Sequence, residues 1–148
     1  MTRLLLTGLL PLLLGCADPT DTHSGSRLED LRGQWVVINY WASWCKPCIA
    51  EIPQLNTLDA QYPQVTVLGV NYDGASGAEL EQQRQQLGVT FASLEVDPAA
   101  QLGTSRPEVL PTTLILDPTG RLVTTLLGPQ TLDSLVKVTE QGAAKAPQ

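Results

Sequence analysis

Apolar residues fall along this chain in two kinds of pattern, unbroken runs and recurrences at helical spacing, with Gly- and Pro-rich turns between them. Trp35-Val36-Val37-Ile38-Asn39-Tyr40-Trp41 has no polar face, which predicts a strand buried on both sides of a parallel sheet. Ile49, Ile52, Leu55 and Leu58 then recur at helical spacing, with Pro53 as a point of kinking and Pro63 as the stop. Val65 to Val70 reads as a second strand, closed by Asn71-Tyr72-Asp73-Gly74. Ser76 and Glu79 have capping-box spacing and Gly88 stands at a helix C-terminus, so the polar segment GAELEQQRQQL between them predicts an exposed helix. A third strand is expected over Val89 to Val96, then a helical turn from Asp97-Pro98 to Leu102 and an irregular stretch, Gly103 to Leu110, leading into Pro111. Thr112 to Leu116, the turn Asp117-Pro118-Thr119-Gly120 and Leu122 to Leu127 form a hairpin, and Thr131 can cap a last helix reaching about Gln141. Strands alternating with helices, then a hairpin and a helix, place the chain in the α/β class with a mixed sheet.

Ahead of this lies a different kind of segment. Thr2 and Arg3 precede the apolar run Leu4 to Leu14, which is interrupted by Gly8 and Pro11 and is too short to span a bilayer core of about 30 Å. Such a run reads as an export signal, and Leu13-Leu14-Gly15-Cys16 resembles a bacterial lipobox, in which cleavage before the cysteine leaves it acylated. Residues 1–15 are therefore expected to be a lipoprotein signal peptide, and 16–27 the lipidated Cys16 with a flexible tether lacking large apolar residues. Residues 28–141 would be the folded domain and 142–148 a tail. Ala17 and Asp18, with no Asp directly after the cysteine, lean towards an outer-membrane anchor on the periplasmic side. Acylation also settles the cysteine count, since three is odd and it removes one, leaving a pair.

Composition narrows the function. A chain of 148 residues, 43% hydrophobic, suits one domain with a packed core. A net charge of −6, with no basic run, lacks the electrostatic footprint of nucleic-acid binding. His23, the single histidine, lies in the tether, where nothing would hold its ring for catalysis or metal binding.

The chemistry concentrates at Cys45-Lys46-Pro47-Cys48, between a buried strand and a helix. Two cysteines three apart on one turn can close a small disulfide and are made unequal by the helix. Cys45 sits among the unsatisfied N–H groups and positive dipole end that stabilise a thiolate, with Lys46 adding charge beside it. Cys48, one turn further in and shielded, would resolve the mixed disulfide, and Pro47 suits a first turn, where its missing N–H costs little. A structural zinc site would need two more Cys or His ligands, which the folded part lacks. An inert structural disulfide would remove little chain entropy from so small a loop. Redox exchange is the favoured reading, with no cofactor beyond the disulfide itself and no metal.

WASWCKPC after an apolar strand, followed some sixty residues later by LPTT opening a hairpin, resembles the thioredoxin superfamily. The segment Ser76 to Val96 is similar to the helix–strand insertion of its TlpA/ResA-like branch, the DsbE/CcmG-like bacterial thiol–disulfide oxidoreductases. The resemblance implies a thioredoxin-like fold, a central mixed sheet flanked by helices. It further implies that Pro111 is cis and faces the disulfide, forming with Leu110 a ledge on which an extended substrate adds as a strand. Glu51, three after Cys48, matches an acidic residue of ResA-like proteins that could tune the cysteines or relay a proton, although a solvated helix glutamate is an equal reading. Asn39 stands six before Cys45, where thioredoxins carry a buried aspartate. Trp41 and Trp44 would form an apolar collar, so Trp44, Lys46, Pro47 and Leu110 are the expected substrate contacts beside the catalytic Cys45, Cys48, Glu51 and Pro111. Copper delivery by proteins of this fold usually adds a distant histidine, and none follows His23.

The resemblance implies an envelope disulfide reductase acting on proteins such as apocytochrome c and re-reduced by a membrane donor of the DsbD/CcdA type; the lipobox adds a tether to the membrane through the lipid on Cys16. Nothing beyond the aromatic patch marks an interface, so a monomer is expected. The alternatives are an oxidase or isomerase, a binding module that kept the fold, or a metal chaperone. Two departures from the family bear on partner choice: little of the apolar hairpin usual before LEDLRG is present, and GTSRPEVLP is longer than the usual approach to the proline.

Overall fold

The computed structural model of the protein describes residues 28–143. The expected signal segment, lipidated Cys16 and tether, with His23, lie outside the described residues.

After a short 3-10 turn, Leu28–Leu31, the elements are β1 (Trp35–Trp41), α1 (Lys46–Gln61), β2 (Val65–Asn71), α2 (Gly77–Leu87), β3 (Ala92–Ser93), β4 (Thr112–Leu116), β5 (Leu122–Leu127) and α3 (Leu132–Ala143). They form one five-stranded sheet in the order β3-β2-β1-β4-β5. β1 pairs in parallel with β2 and antiparallel with β4, and β5 returns antiparallel beside β4. The sheet is mixed, as expected, and β1 at its centre is buried at every position.

Alternation along β1 sends side chains into two cores of different construction. Trp35 and Val37 pack with Ile52, Leu55 and Leu58 of α1, Leu135 of α3 and Phe91. Val36, Ile38 and Tyr40 face the opposite side with Leu68, Val70, Leu114 and Leu116. That second face is covered by Leu28 and Leu31 of the 3-10 turn and by Leu94, Leu102 and Leu110 of the long connection between β3 and β4.

Several local expectations are corrected. The third strand shrinks from Val89–Val96 to Ala92–Ser93, because the N–H groups ahead of it bond away from β2, Val89 N to the Arg84 carbonyl at 2.9 Å and Thr90 N to Asn56 Oδ1 at 3.0 Å, while Val89 and Phe91 are buried in the core. Arg84 of α2 also takes up acceptors there, donating to the Phe91 carbonyl at 2.8 Å and to Ser93 Oγ at 3.2 Å. The capping box at Ser76 does not form; Ser76 is the N-cap of α2 but its hydroxyl makes no capping bond. The turn before it is fixed by Asn71 instead, whose Oδ1 accepts from Ala75 N at 3.0 Å. The last helix reaches Ala143, two residues past the expected Gln141, within the usual scatter of helix ends. At its start Thr131 and Ser134 cap each other, each hydroxyl accepting from the other's N–H, at 3.2 and 3.0 Å. Register between β4 and β5 slips at Ile115/Leu116, leaving Val123 without a partner. The bulge lets Leu122 and Leu126 reach opposite cores.

Candidate active site

β1 delivers the chain to the end of the sheet, and Ala42 turns it, its carbonyl accepting from Cys45 N at 3.1 Å. Cys45 is the N-cap of α1, in extended conformation, and its Sγ accepts from Cys48 N at 3.3 Å. The sulfur thus occupies the place where a helix presents free N–H donors, an arrangement that favours negative charge on it. Pro47 lies in the first turn, as expected. Cys45 and Cys48 are joined as a disulfide with their Cα atoms 5.3 Å apart. Cys45 is 4% exposed and Cys48 fully enclosed, so only the first can meet an incoming group.

The two cysteines belong to a small apolar cluster of their own with Trp41 and Ala42, packed by Tyr72, Leu80, Leu87 and Leu110. Leu110–Pro111 is a cis peptide bond. Gly128 N donates to the Pro111 carbonyl at 2.9 Å, tying the start of β4 to the end of β5. The expected cis proline is present, and Leu110 lies against the cysteine cluster.

The tryptophans divide differently from the expected collar. Trp44 is 62% exposed, and its indole N–H donates to Asp73 Oδ2 at 2.9 Å. Trp41 is wholly buried, lying beneath the site and not around it, and its Nε1 has no partner. A Cβ on Gly69 would come within 2.9 Å of that nitrogen and of Phe91, so the missing side chain of Gly69 makes the room for both rings. Lys46 and Pro47 are exposed beside Cys45.

Glu51 is not a solvated helix residue: it is 2% exposed. Its Oε1 accepts from Asn39 Nδ2 at 2.7 Å and its Oε2 from Gln130 N at 2.7 Å. Asn39 also donates to Thr113 Oγ1 at 3.1 Å, across the β1–β4 register, while its own Oδ1 is buried with no partner. Burial raises the Glu51 carboxyl above its ordinary value of 4.5, and the Gln130 and Asn39 hydrogen bonds oppose this only in part. One turn from Cys48 on α1, a buried carboxyl is thereby biased towards its protonated form.

A raised carboxyl holds its proton more tightly in the folded state than in the unfolded one. Its contribution is therefore lost as pH rises from the unfolded value towards the folded one. Glu51→Gln removes that titration. Across urea titrations from about pH 4 to about pH 8, the unfolding midpoint of the variant is expected to gain on the wild type as pH rises above the ordinary carboxylate range, and to level off once the folded carboxyl has ionised. A difference that stays flat would mean an unshifted carboxyl, and one that runs the other way would place the carboxylate in a stabilising ionised state.

Thr113, Gln130, Asp73 and Tyr72 surround the site without having been singled out from the sequence. For Thr113 a signal existed, since it follows the proline by two and pairs with Asn39 once the hairpin is placed beside β1. For the others none did.

Residues 17–125 match the model of the AhpC/TSA family. The chain is 32% identical over 111 residues to the thiol-disulfide oxidoreductase ResA of Bacillus thuringiensis, covering 73% of this chain and 63% of that protein. It is 33% identical over 114 residues to the thiol:disulfide interchange protein HelX of Rhodobacter capsulatus, covering 73% and 61%. It thus spans less than two thirds of the length of these curated relatives. Among solved structures it is similar to a DsbF homologue from Corynebacterium diphtheriae, with a TM-score of 0.64 and 30% identity over 77% of this chain and 75% of that one.

Proposed function

Because this chain belongs to the AhpC/TSA family, with a thioredoxin-like fold, we propose that it is a thiol–disulfide oxidoreductase that reduces protein disulfides outside the cytoplasm. The observation that carries this reading is the Cys45–Cys48 disulfide at the N-terminus of α1, beside the cis Leu110–Pro111 ledge.

In the reduced protein, the Cys45 thiolate attacks one sulfur of a substrate disulfide. A mixed disulfide forms and the other substrate sulfur leaves as a thiolate. Cys48 then gives up its proton and attacks Cys45 Sγ, which closes the Cys45–Cys48 bond and releases the second substrate thiol. Two electrons pass to the substrate, and a thiol donor of the DsbD/CcdA type returns them. Glu51, buried one turn from Cys48 and with its proton affinity raised by burial, takes up the Cys48 proton inside the fold when its carboxylate is ionised. The ledge at Leu110 and Pro111, with Trp44, Lys46 and Pro47, receives the substrate backbone.

Export and a lipid anchor at Cys16 complete the proposal, supported by Leu13-Leu14-Gly15-Cys16 and by the lack of large apolar residues from Ala17 to Ser26. Apocytochrome c thiols and other envelope proteins are the candidate substrates.

The deciding experiment is the reduction potential of the Cys45–Cys48 couple, read as free thiols after equilibration in thiol buffers. A reductase is expected at or below about −230 mV, towards thioredoxin's roughly −270 mV. A value near about −120 mV would make the protein an oxidant and overturn the direction proposed.

A further inference from the structure

The stretch Gly103 to Leu110, longer than usual in this family, donates only two backbone hydrogen bonds, both at its start: Gly103 N to the Ala100 carbonyl at 3.2 Å and Thr104 N to the Ala99 carbonyl at 3.0 Å. Side chains hold it instead, and they converge on Arg106. Arg106 Nε donates to Asp97 Oδ2 at 3.0 Å. Its Nη2 donates to the Tyr72 carbonyl, and its guanidinium lies over the Tyr72 ring with Cζ 4.1 Å from the centroid. Asp97 is itself anchored twice more. Its Oδ1 accepts from Tyr40 Oη at 2.6 Å and from Ala99 N at 3.0 Å. Burial, then the Asp97 bond, pushes the Tyr40 phenol well above its ordinary range, so it remains a donor. Tyr72 closes the loop from the other side. Its Oη donates to the Pro107 carbonyl at 3.1 Å, and its N–H donates to the Trp41 carbonyl at 2.8 Å, at the end of the strand that leads to Cys45.

The connection between β3 and β4 is therefore pinned at one end to the sheet, through Tyr40 and Asp97. At the other it is pinned to Tyr72, which packs with Leu110 against the cysteines. Only Leu110 and the exposed Val109 lie between Glu108 and the proline. Among the described residues, Arg106 is the single side chain that grips both anchors. A planar fork can bond Asp97 and the Tyr72 carbonyl together while stacking on the ring, which an ammonium cannot do.

We propose that Arg106 is the positioning residue of the substrate ledge: by clasping Asp97 and Tyr72 it sets Leu110–Pro111 against the Cys45–Cys48 pair before a protein substrate arrives. This rests on the oxidoreductase reading. Arg106 touches neither sulfur, so it acts on the fit of an extended polypeptide and leaves the reactivity of the dithiol unchanged. Without the clasp, the loop must be ordered at each binding event, a cost borne by protein substrates and not by small disulfides.

The test compares wild type, Arg106→Ala and Arg106→Lys on two probes, insulin and hydroxyethyl disulfide. For Arg106→Ala the KM for insulin is expected to rise by about fivefold or more, the loss of a charge-assisted hydrogen-bonded clasp, while kcat changes little. The rate constant for hydroxyethyl disulfide should stay at the wild-type value. Arg106→Lys is expected to fall between the two proteins. An unchanged KM, or an equal loss on both probes, overturns the proposal. Wild-type protein inert towards both probes would sink the oxidoreductase reading instead. Amide hydrogen exchange then still decides the clasp: residues 104 to 110 should exchange about tenfold faster in Arg106→Ala, with β1 and α1 unchanged. Equal protection of that loop in both proteins overturns it.

Discussion

Cys45→Ser is expected to bring insulin reduction down to the uncatalysed background and to trap no mixed disulfide with any substrate. A hydroxyl does not attack a disulfide sulfur, and Cys48 cannot substitute because it is wholly enclosed. The loss should be chemical and not a failure to fold. Serine is a favoured N-cap residue, so the start of α1 is retained, and the bond removed closes a loop too small to contribute much chain entropy. Cys48→Ser supplies the contrast: attack at Cys45 proceeds but resolution does not, so mixed disulfides accumulate and can be seen on non-reducing gels. Continued insulin reduction by Cys45→Ser would remove Cys45 from the role of nucleophile. Undiminished partner capture by both variants, with no turnover in the wild type, would favour a binding module.

The largest expected effect on stability is at Phe91. Its ring is fully buried in the core shared by β1, α1 and α3, in the space left by Gly69. Phe91→Ala should cost about 3–5 kcal/mol and lower the melting temperature by roughly 10–25 °C, as followed by circular dichroism. The reason is local as well as volumetric. β3 has only two residues and no residue of α2 is fully buried, so Phe91 and Val89 are the buried anchors of the helix–strand insertion, joined by the partly buried Leu80 and Leu87 and by hydrogen bonds of Arg84 and Asn56. Gly69→Ala should also destabilise, by about 1–3 kcal/mol, because its new methyl would press on Phe91 and on the Trp41 indole. In the double variant the two losses should add to less than their sum, since the methyl then meets vacated space. A drop of only a few degrees for Phe91→Ala would mean that the insertion is held elsewhere.

What could be read from the sequence was what depends on near neighbours. An unbroken apolar run fixed β1, and the CKPC turn placed one cysteine at a helix end and the other inside, because helix geometry acts over a single turn. The Gly88 stop and the Asp117–Gly120 hairpin turn were legible for the same reason. Features set by distant residues were not. Whether Glu51 faces water or the core depends on Asn39 lying across from it and on Gln130 donating to it from the far side of the hairpin. The third strand was overextended because Val89 and Phe91 are β-formers recruited by the core, which is a tertiary effect. The Arg106 clasp was invisible for a similar reason. Its partner Tyr72 follows β2, 34 residues earlier in the chain, and its other partner, Asp97, is fixed by Tyr40 of β1; in sequence the segment showed only as an overlong loop.

The unpartnered Val123 also bears on how two copies of the molecule meet. β5 is an outer strand of the sheet, and its exposed side carries Val123 and Leu127. A straight, apolar outer strand is a template on which another chain can zip itself and begin a growing stack. The extra residue at Val123 breaks the regular spacing of free N–H and C=O groups and adds local twist. An incoming strand could match this edge over only a few residues before falling out of step. The same bulge that feeds two cores from one strand thus makes this edge a poor template for a second chain.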